Sequence, residues 1–146
     1  MTGRVLVSLD RDRHRGLTIA SAVFLVGAVA LRVVGVPTVD LHGPLHYLGI
    51  MDPLCGGTRA TFLLLTGDTA AAARYNPLVF PLAAAVVCVL VRSGAGLVAG
   101  RWLEIRLPRR WRRVVVVILI AGMAALSVRQ QWNADLLMQS WPVARS

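Results

Sequence analysis

The sequence predicts an all-α membrane protein with three transmembrane helices and a short re-entrant or interfacial helix between the first two. Of its 146 residues, 56% are hydrophobic and only 16% are charged, and its mean hydropathy is +0.64. Soluble domains are usually about 45–50% apolar and about 25% charged. The sequence also contains three separate apolar runs, and each of these runs is flanked by arginine. These features exclude a disordered chain, a disulfide-built secreted module and an ordinary cytosolic enzyme.

The first apolar run covers about residues 17–36 and contains one charge, Arg32. About 20 residues are enough for a helix to cross a hydrocarbon core about 30 Å thick. Pro37 ends the run because proline has no backbone N–H to donate. A cleavable signal peptide cut near residues 28–30 is the alternative, but a signal core usually spans about 7–15 residues and this run is longer.

The second and third spans follow from similar signals. The second is predicted over about residues 77–98, because Asn76 suits a helix cap and Pro77 suits the first helical turn. The third is predicted over about residues 112–132. Its apolar core is short, so it must also use its flanks, with Trp132 as an interfacial anchor.

Arginine placement predicts the topology of this single membrane domain, residues 1–146. All sixteen basic residues are arginine, and the net charge is +9. Eleven of them lie before the first span or in the loop 92–113, whereas segment 37–76 holds only Arg59 and Arg74. Excess positive charge stays cytoplasmic. We therefore expect an inside N-terminus, an outside segment 37–76, a basic cytoplasmic loop and an outside C-terminus, with anionic lipid rather than nucleic acid as the partner of the arginines.

The segment between the first two spans contains successive start and stop signals. Thr58 is predicted to cap a short helix over residues 59–66, which Gly67 ends in a left-handed conformation. At 1.5 Å per residue this helix is only about 12 Å long, too short to cross a membrane. Asp68 is predicted to cap a second short helix over residues 69–75. The result is a compact structured cap.

A motif in this segment resembles a known family. Asp52-Pro53-Leu54-Cys55-Gly56-Gly57-Thr58-Arg59 is followed by Gly67-Asp68 and then by Arg74-Tyr75-Asn76-Pro77. This pattern resembles the domain of unknown function 2752 family, short bacterial membrane proteins with a Cys-Pro-x-Cys-Gly-x-Thr-Arg motif, a Gly-Asp pair and an Asn-Pro that opens the next span. The likeness covers roughly residues 43–91. It implies a multi-pass protein of the bacterial cytoplasmic membrane and no particular activity.

Two departures from the family pattern limit what the resemblance implies. The first motif cysteine is Asp52 here, and an upstream Cys-Pro is Gly43-Pro44, so cysteine-pair chemistry does not carry over. The residues that do carry over are Cys55, Gly56, Thr58, Arg59, Gly67, Asp68, Asn76 and Pro77. With Asp52 and Arg74 added, the candidate binding or structural residues are Asp52, Cys55, Gly56, Thr58, Arg59, Gly67, Asp68, Arg74 and Asn76.

Arg59 has two interpretations. A guanidinium binds phosphate or carboxylate through two parallel hydrogen bonds, so Arg59 is a candidate binding group for an anionic lipid or substrate. Arginine buried in a membrane protein more often pairs with an acid or a carbonyl. We therefore favour an internal ion pair with Asp52 or Asp68.

Cysteine and histidine residues allow weaker hypotheses. His42 and His46 lie four residues apart, and with Asp52 and Cys55 they are weak candidates for a zinc or copper site. Their spacing matches no standard motif, so we expect no metal and no cofactor. Cys88 lies some 16 Å along the second span, too far for a disulfide with the cap. Cys55 is either a reactive or chain-linking thiol or a small residue in a tight turn, and we favour the turn.

No serine or cysteine has a matching histidine at a recognisable catalytic spacing, so the catalytic residues stay unassigned. We expect a non-enzymatic subunit or scaffold whose outer cap binds an envelope protein or a membrane lipid. The protein partner would be another membrane protein or a second copy of the chain. The alternative is a small membrane enzyme or transporter that holds an anionic lipid or substrate through Arg59, with Asp68 or Asp52 as base or ion ligand.

Overall fold

The computed structural model describes residues 6–9, 12–36, 49–105 and 108–139, and it is mostly helical. The helices are α1 Arg15–Val34, α2 Gly57–Thr66, α3 Thr69–Tyr75, α4 Val79–Ala99, α5 Arg109–Trp132 and α6 Ala134–Met138. The strands are β1 Leu6–Leu9 and β2 Trp102–Ile105.

Three of the helices, α1, α4 and α5, are long and apolar enough to cross a membrane, with 20, 21 and 24 residues. At 1.5 Å per residue each spans about 30 Å or more, the thickness of a hydrocarbon core. The predicted fold class is confirmed, with short helices α2 and α3 between the first two long ones. Helix α5 begins at Arg109, so the arginine-rich flank of its short apolar core is helical.

One end of the molecule carries a small sheet that the sequence did not predict. Strand β1 pairs antiparallel with β2, with Leu6 opposite Ile105 and Leu9 opposite Trp102. Beside it, the hydroxyl oxygens of Thr18 in α1 and Ser93 in α4 lie 2.9 Å apart. We call this region, which consists of β1, β2, the start of α1 and the end of α4, the hairpin end, although no tight turn joins its two strands.

Arg92 connects the elements of the hairpin end. Its guanidinium bonds to the Asp12 carboxylate at 3.1 Å and donates to the Leu103 carbonyl at 2.6 Å. Trp102 packs so closely on Gly96 that a Cβ there would lie 2.5 Å from the indole ring. These contacts hold α1, α4 and β2 together.

The ion pair at the hairpin end predicts a pH dependence of stability. Burial raises the pKa of Asp12, but hydrogen bonds from the His14 amide, Arg92 and Thr18 outweigh it and hold that pKa below its ordinary value of 3.8. A lowered folded-state pKa means that the stabilisation is present above the unfolded-state value and is lost as pH falls through the folded-state value. The Tm of the protein should therefore exceed that of Asp12→Asn at neutral pH, and the gap should close under acid. A gap that stays constant down to about pH 2 would contradict this.

Among the described residues, helix α5 contacts the rest of the molecule near its C-terminal end. Every side chain over residues 109–125 is exposed, whereas Gln130 is fully buried. In a membrane the exposed length of α5 faces lipid or another helix. The attachment of α5 therefore depends on contacts at the end of the molecule opposite the hairpin end.

Candidate functional site

We call residues 49–76, the described part of the predicted outer segment 37–76, the cap, and its helices form as their local signals require. Gly67 ends α2 in the left-handed region, with φ +91°, and its N–H bonds back to the end of α2. The Asp68 carboxylate caps α3 by accepting from the Ala71 N–H at 2.9 Å. Ala60 of α2 and Ala72 of α3 are fully buried together. The predicted end of α2 at Gly67 and the predicted cap of α3 at Asp68 are both confirmed.

The predicted cap of α2 is wrong. The helix begins at Gly57, and its N-cap is Gly56 in the left-handed region with φ +76°, so Thr58 lies inside the first turn and is exposed. Glycine adopts this conformation without strain, whereas other residues do not. The site also lacks space, since a Cβ on Gly56 would lie 2.7 Å from Leu137 Cδ2 and 3.0 Å from the Tyr75 carbonyl oxygen.

Asn76 connects the motif turn to the start of α4. Its buried side-chain amide donates to the carbonyl oxygens of Pro53 and Cys55, both at 3.0 Å, and accepts from the Leu78 N–H at 2.9 Å. The N-cap of α4 is Leu78 rather than the predicted Asn76, although the Asn76 side chain accepts from the N–H of Leu78. Sequence reasoning missed its second role, which is to fix the turn that precedes α2.

Gln130, near the end of α5, joins α5 to the cap. Its amide nitrogen donates to the Cys55 carbonyl at 2.6 Å and to the Tyr75 carbonyl at 2.9 Å. Its neighbour Arg129 donates to the Ala73 carbonyl at 3.0 Å and to the Gln130 side-chain oxygen at 3.2 Å. The sequence analysis did not single out Gln130. The available signal was a cluster of amide side chains just after the third apolar run, at positions 130, 131 and 133.

Arg59 bonds to α6. Its Nη1 donates to the Leu137 carbonyl at 3.3 Å, and its guanidinium lies over the Tyr75 ring, 5.7 Å from the centroid. Among the described residues, the favoured ion pair with Asp52 or Asp68 is not observed. The Asp52 carboxylate accepts from the Leu54 N–H at 2.7 Å instead, and Asp68 caps α3.

Arg74 is exposed on α3, and its carbonyl accepts a bond from Arg129 at 3.3 Å. Thus Cys55, Gly56, Arg59 and Asn76 converge with the ends of α5 and α6 around Tyr75 and Leu137. We call this region, where the cap meets the ends of α5 and α6, the joint. Arg74 contributes its backbone carbonyl to the joint as a hydrogen-bond acceptor. Gly67 ends α2 and Asp68 caps α3, whereas Thr58 lies exposed in the first turn of α2.

Cys55 is buried, with its Sγ 3.5 Å from Met51 Sδ. Burial raises the pKa of the Cys55 thiol, and the nearby Asp52 carboxylate raises it further. A buried thiol that stays protonated is a poor nucleophile, which supports its interpretation as a small residue in the turn. Cys55 and Cys88, the two cysteines of the sequence, are not joined by a disulfide.

Within the described part of the chain, no group of three or more His, Cys, Asp or Glu side chains is placed to hold a metal ion. His42 and His46, two of the four weak metal candidates, lie outside the described residues. Asp52 and Cys55, the other two, have the backbone and thioether partners given above.

The contacts of Arg59 predict that a lysine there destabilises the protein. Lysine has no planar guanidinium to lie over Tyr75 while donating to the Leu137 carbonyl. We expect Arg59→Lys to lower stability by about 0.5–2 kcal/mol and to reduce membrane abundance. Thermal melting and quantified abundance would check this, with exposed Arg74→Lys as the control. Unchanged stability and abundance in Arg59→Lys would contradict the structural role and favour anion binding.

Comparison with known proteins places the motif in a family. Residues 44–91, about a third of the chain, match the model described as "Protein of unknown function (DUF2752)". The resemblance predicted from the motif is confirmed. The matched region includes α2, α3 and most of α4, and it leaves out Gln130 and all of α5 and α6. No curated protein and no solved structure matches the chain.

Proposed function

We propose that this chain, whose cap and α4 carry the DUF2752 match, is a non-enzymatic subunit or scaffold of the bacterial cytoplasmic membrane. Its cap binds another envelope protein on the outer side. The binding surface is the apolar rim, which consists of Ile50, Trp132 and Met138 where the cap meets α5 and α6.

The exposure of these three apolar side chains carries the proposal. Their exposed fractions are 51% for Ile50, 83% for Trp132 and 57% for Met138. The Gln131 side chain accepts from the Met51 N–H and donates to the Gly49 carbonyl. These two bonds lie on either side of Ile50 in sequence and connect it to Gln131, the residue before Trp132. Ile50 and Met138 adjoin Met51 and Leu137, which belong to one buried cluster, and large exposed apolar side chains often mark an interaction surface.

The internal bonds of the cap support a binding role rather than catalysis. Asn76, Gln130 and Arg59 all donate to backbone carbonyls within the cap and its joint with α5 and α6. Their polar groups hold the cap in one arrangement. A binding surface held rigid before contact loses less conformational entropy when the partner binds.

The arginine distribution supports the proposed orientation. The hairpin end carries Arg92 and Arg101, and residues 109–113 add four more arginines at the start of α5. The cap carries only Arg59 and Arg74. By the positive-inside rule, this distribution supports a cytoplasmic hairpin end and an outer cap.

Purification in mild detergent tests this function. We expect one envelope protein to co-purify in fixed stoichiometry with the wild type and to be lost with the double variant Ile50→Gln, Met138→Gln. Leu103→Gln is the matched control, since Leu103 is 54% exposed on β2 at the hairpin end. A wild-type protein that purifies as a bare monomer, or a double variant that keeps the partner, would overturn the proposal. A dimer of the chain lost only in the double variant would identify the partner as a second copy.

A further inference from the structure

We propose that the groove between α1, α2 and the start of α4 binds one acyl chain of a phospholipid from the leaflet on the cap side, with the lipid phosphate at Arg32. The groove is a different surface from the apolar rim, so this proposal does not depend on the partner proposed above.

The groove is an apolar cavity of about 630 Å³ between membrane-spanning helices. Its walls include Phe24 and Leu31 from α1, Thr61 from α2, and Val79 and Leu82 from α4. The Thr61 hydroxyl donates within α2 to the Gly57 carbonyl at 2.8 Å, which satisfies its hydrogen-bonding capacity as a donor. Sites for small molecules usually have volumes of about 300–1,000 Å³ and predominantly apolar walls.

The depth of the groove matches one leaflet. On α1 its lining runs from Phe24 to the cap-side end of the helix at Val34. Ten residues of helix rise about 15 Å. A hydrocarbon core is about 30 Å thick, so the groove reaches about halfway through it.

The lining and the position of the groove favour a hydrocarbon chain as its occupant. The side chains that α1 and α4 contribute to its walls are apolar, and both helices are long and apolar enough to span a membrane. The hydrocarbon core supplies lipid acyl chains at this depth.

Arg32 supplies the charge for the headgroup. It is exposed on the last turn of α1, between the groove-lining residues Leu31 and Val34 in sequence. A long arginine side chain near a helix end extends toward the membrane interface. There its guanidinium lies at the depth of the lipid phosphates. Arginine binds a phosphate through two parallel hydrogen bonds.

Two glycines of the chain offer a matched test of the groove. A Cβ at Gly27, in the groove wall, or at Gly122, on exposed α5, would meet nothing within 4 Å. Gly27→Leu therefore places a side chain in the groove, and Gly122→Leu makes the same change elsewhere on a span. Added phosphatidylglycerol would be titrated against each purified protein and read by native mass spectrometry, with circular dichroism to verify helix content.

We expect wild type and Gly122→Leu to bind one phosphatidylglycerol with equal affinity and Gly27→Leu to bind it about tenfold or more weakly, because the added side chain overpacks the site. Equal binding by all three proteins would overturn the proposal. Loss of a protein dimer rather than lipid in Gly27→Leu would also overturn it, by assigning the groove to a second copy.

A second pair of variants tests the phosphate contact. Diacylglycerol has the same acyl chains without phosphate, and we expect the wild type to prefer phosphatidylglycerol by about tenfold, the size of a hydrogen bond to a charged group. Arg32→Gln should lose this preference and keep acyl binding. Arg74→Gln, an exposed change on α3, should keep both. An Arg32→Gln protein with undiminished preference would show that Arg32 does not hold the phosphate.

Discussion

Replacing Gln130 with methionine is expected to lower the free energy of unfolding by about 2–4 kcal/mol, because it removes the donor to two carbonyls at a buried joint. Methionine has a similar length and no N–H group. The Cys55 and Tyr75 carbonyls lose the bonds at 2.6 Å and 2.9 Å, and Arg129 loses an acceptor. Thermal melting in detergent, followed by circular dichroism, would measure the loss.

Gln131→Met is the matched control for this prediction. Gln131 is the next residue and also makes two bonds to the cap, but its side chain is exposed. Water replaces exposed bonds, so we expect a loss below about 1 kcal/mol. Equal losses in the two variants would show that the burial of Gln130 is not what holds α5 to the cap.

Replacing Gly56 with alanine is expected to destabilise the cap by about 2–4 kcal/mol, through two separate effects. The φ of +76° is strained for any residue with a Cβ, at about 1–2 kcal/mol. The new Cβ would also lie 2.7 Å from Leu137 Cδ2 and 3.0 Å from the Tyr75 carbonyl oxygen. Either α6 or the end of α3 must move to make room.

Gly67→Ala separates the two effects. Gly67 has a φ of +91°, but a Cβ there would meet nothing within 4 Å. We therefore expect only the backbone strain of about 1–2 kcal/mol. Melting temperatures of the two alanine variants would be compared with that of the wild type. A Gly67→Ala protein as unstable as Gly56→Ala would show that the close approach of Leu137 contributes nothing.

The features that the sequence predicted correctly depend on neighbours along the chain. The three spans follow from apolar length, and Gly67 and Asp68 act on residues at most four positions away. The error at Thr58 is also local. A threonine is a good N-cap, but the turn after Cys55 requires a left-handed residue, and Gly56 then becomes the cap itself.

The features that the sequence did not predict depend on distant residues. Gln130 and Cys55 are 75 positions apart, and Arg59 and Leu137 are 78 apart. Their acceptors are backbone carbonyls, which every residue has, so no residue type marks them. The pairing of β1 with β2 likewise joins two short segments across most of the chain.

The predicted ion pair of Arg59 with Asp52 or Asp68 is not observed among the described residues, for a related reason. The nearby aspartates looked available as ion partners, yet Asp52 and Asp68 each accept a bond from an N–H two or three residues ahead. Short polar side chains often bond to their own turn. Among the described residues, Arg59 instead donates to the Leu137 carbonyl of α6, an element beyond the family match.

Photo-cross-linking in living cells tests most directly the claim that the apolar rim binds an envelope protein. A photoreactive residue would replace Met138 on the rim or, as the control, Leu103 at the hairpin end, both more than half exposed. We expect a single protein adduct from position 138 and no such adduct from position 103. Adducts from position 138 to lipid alone, or the same protein adduct from both positions, would contradict it.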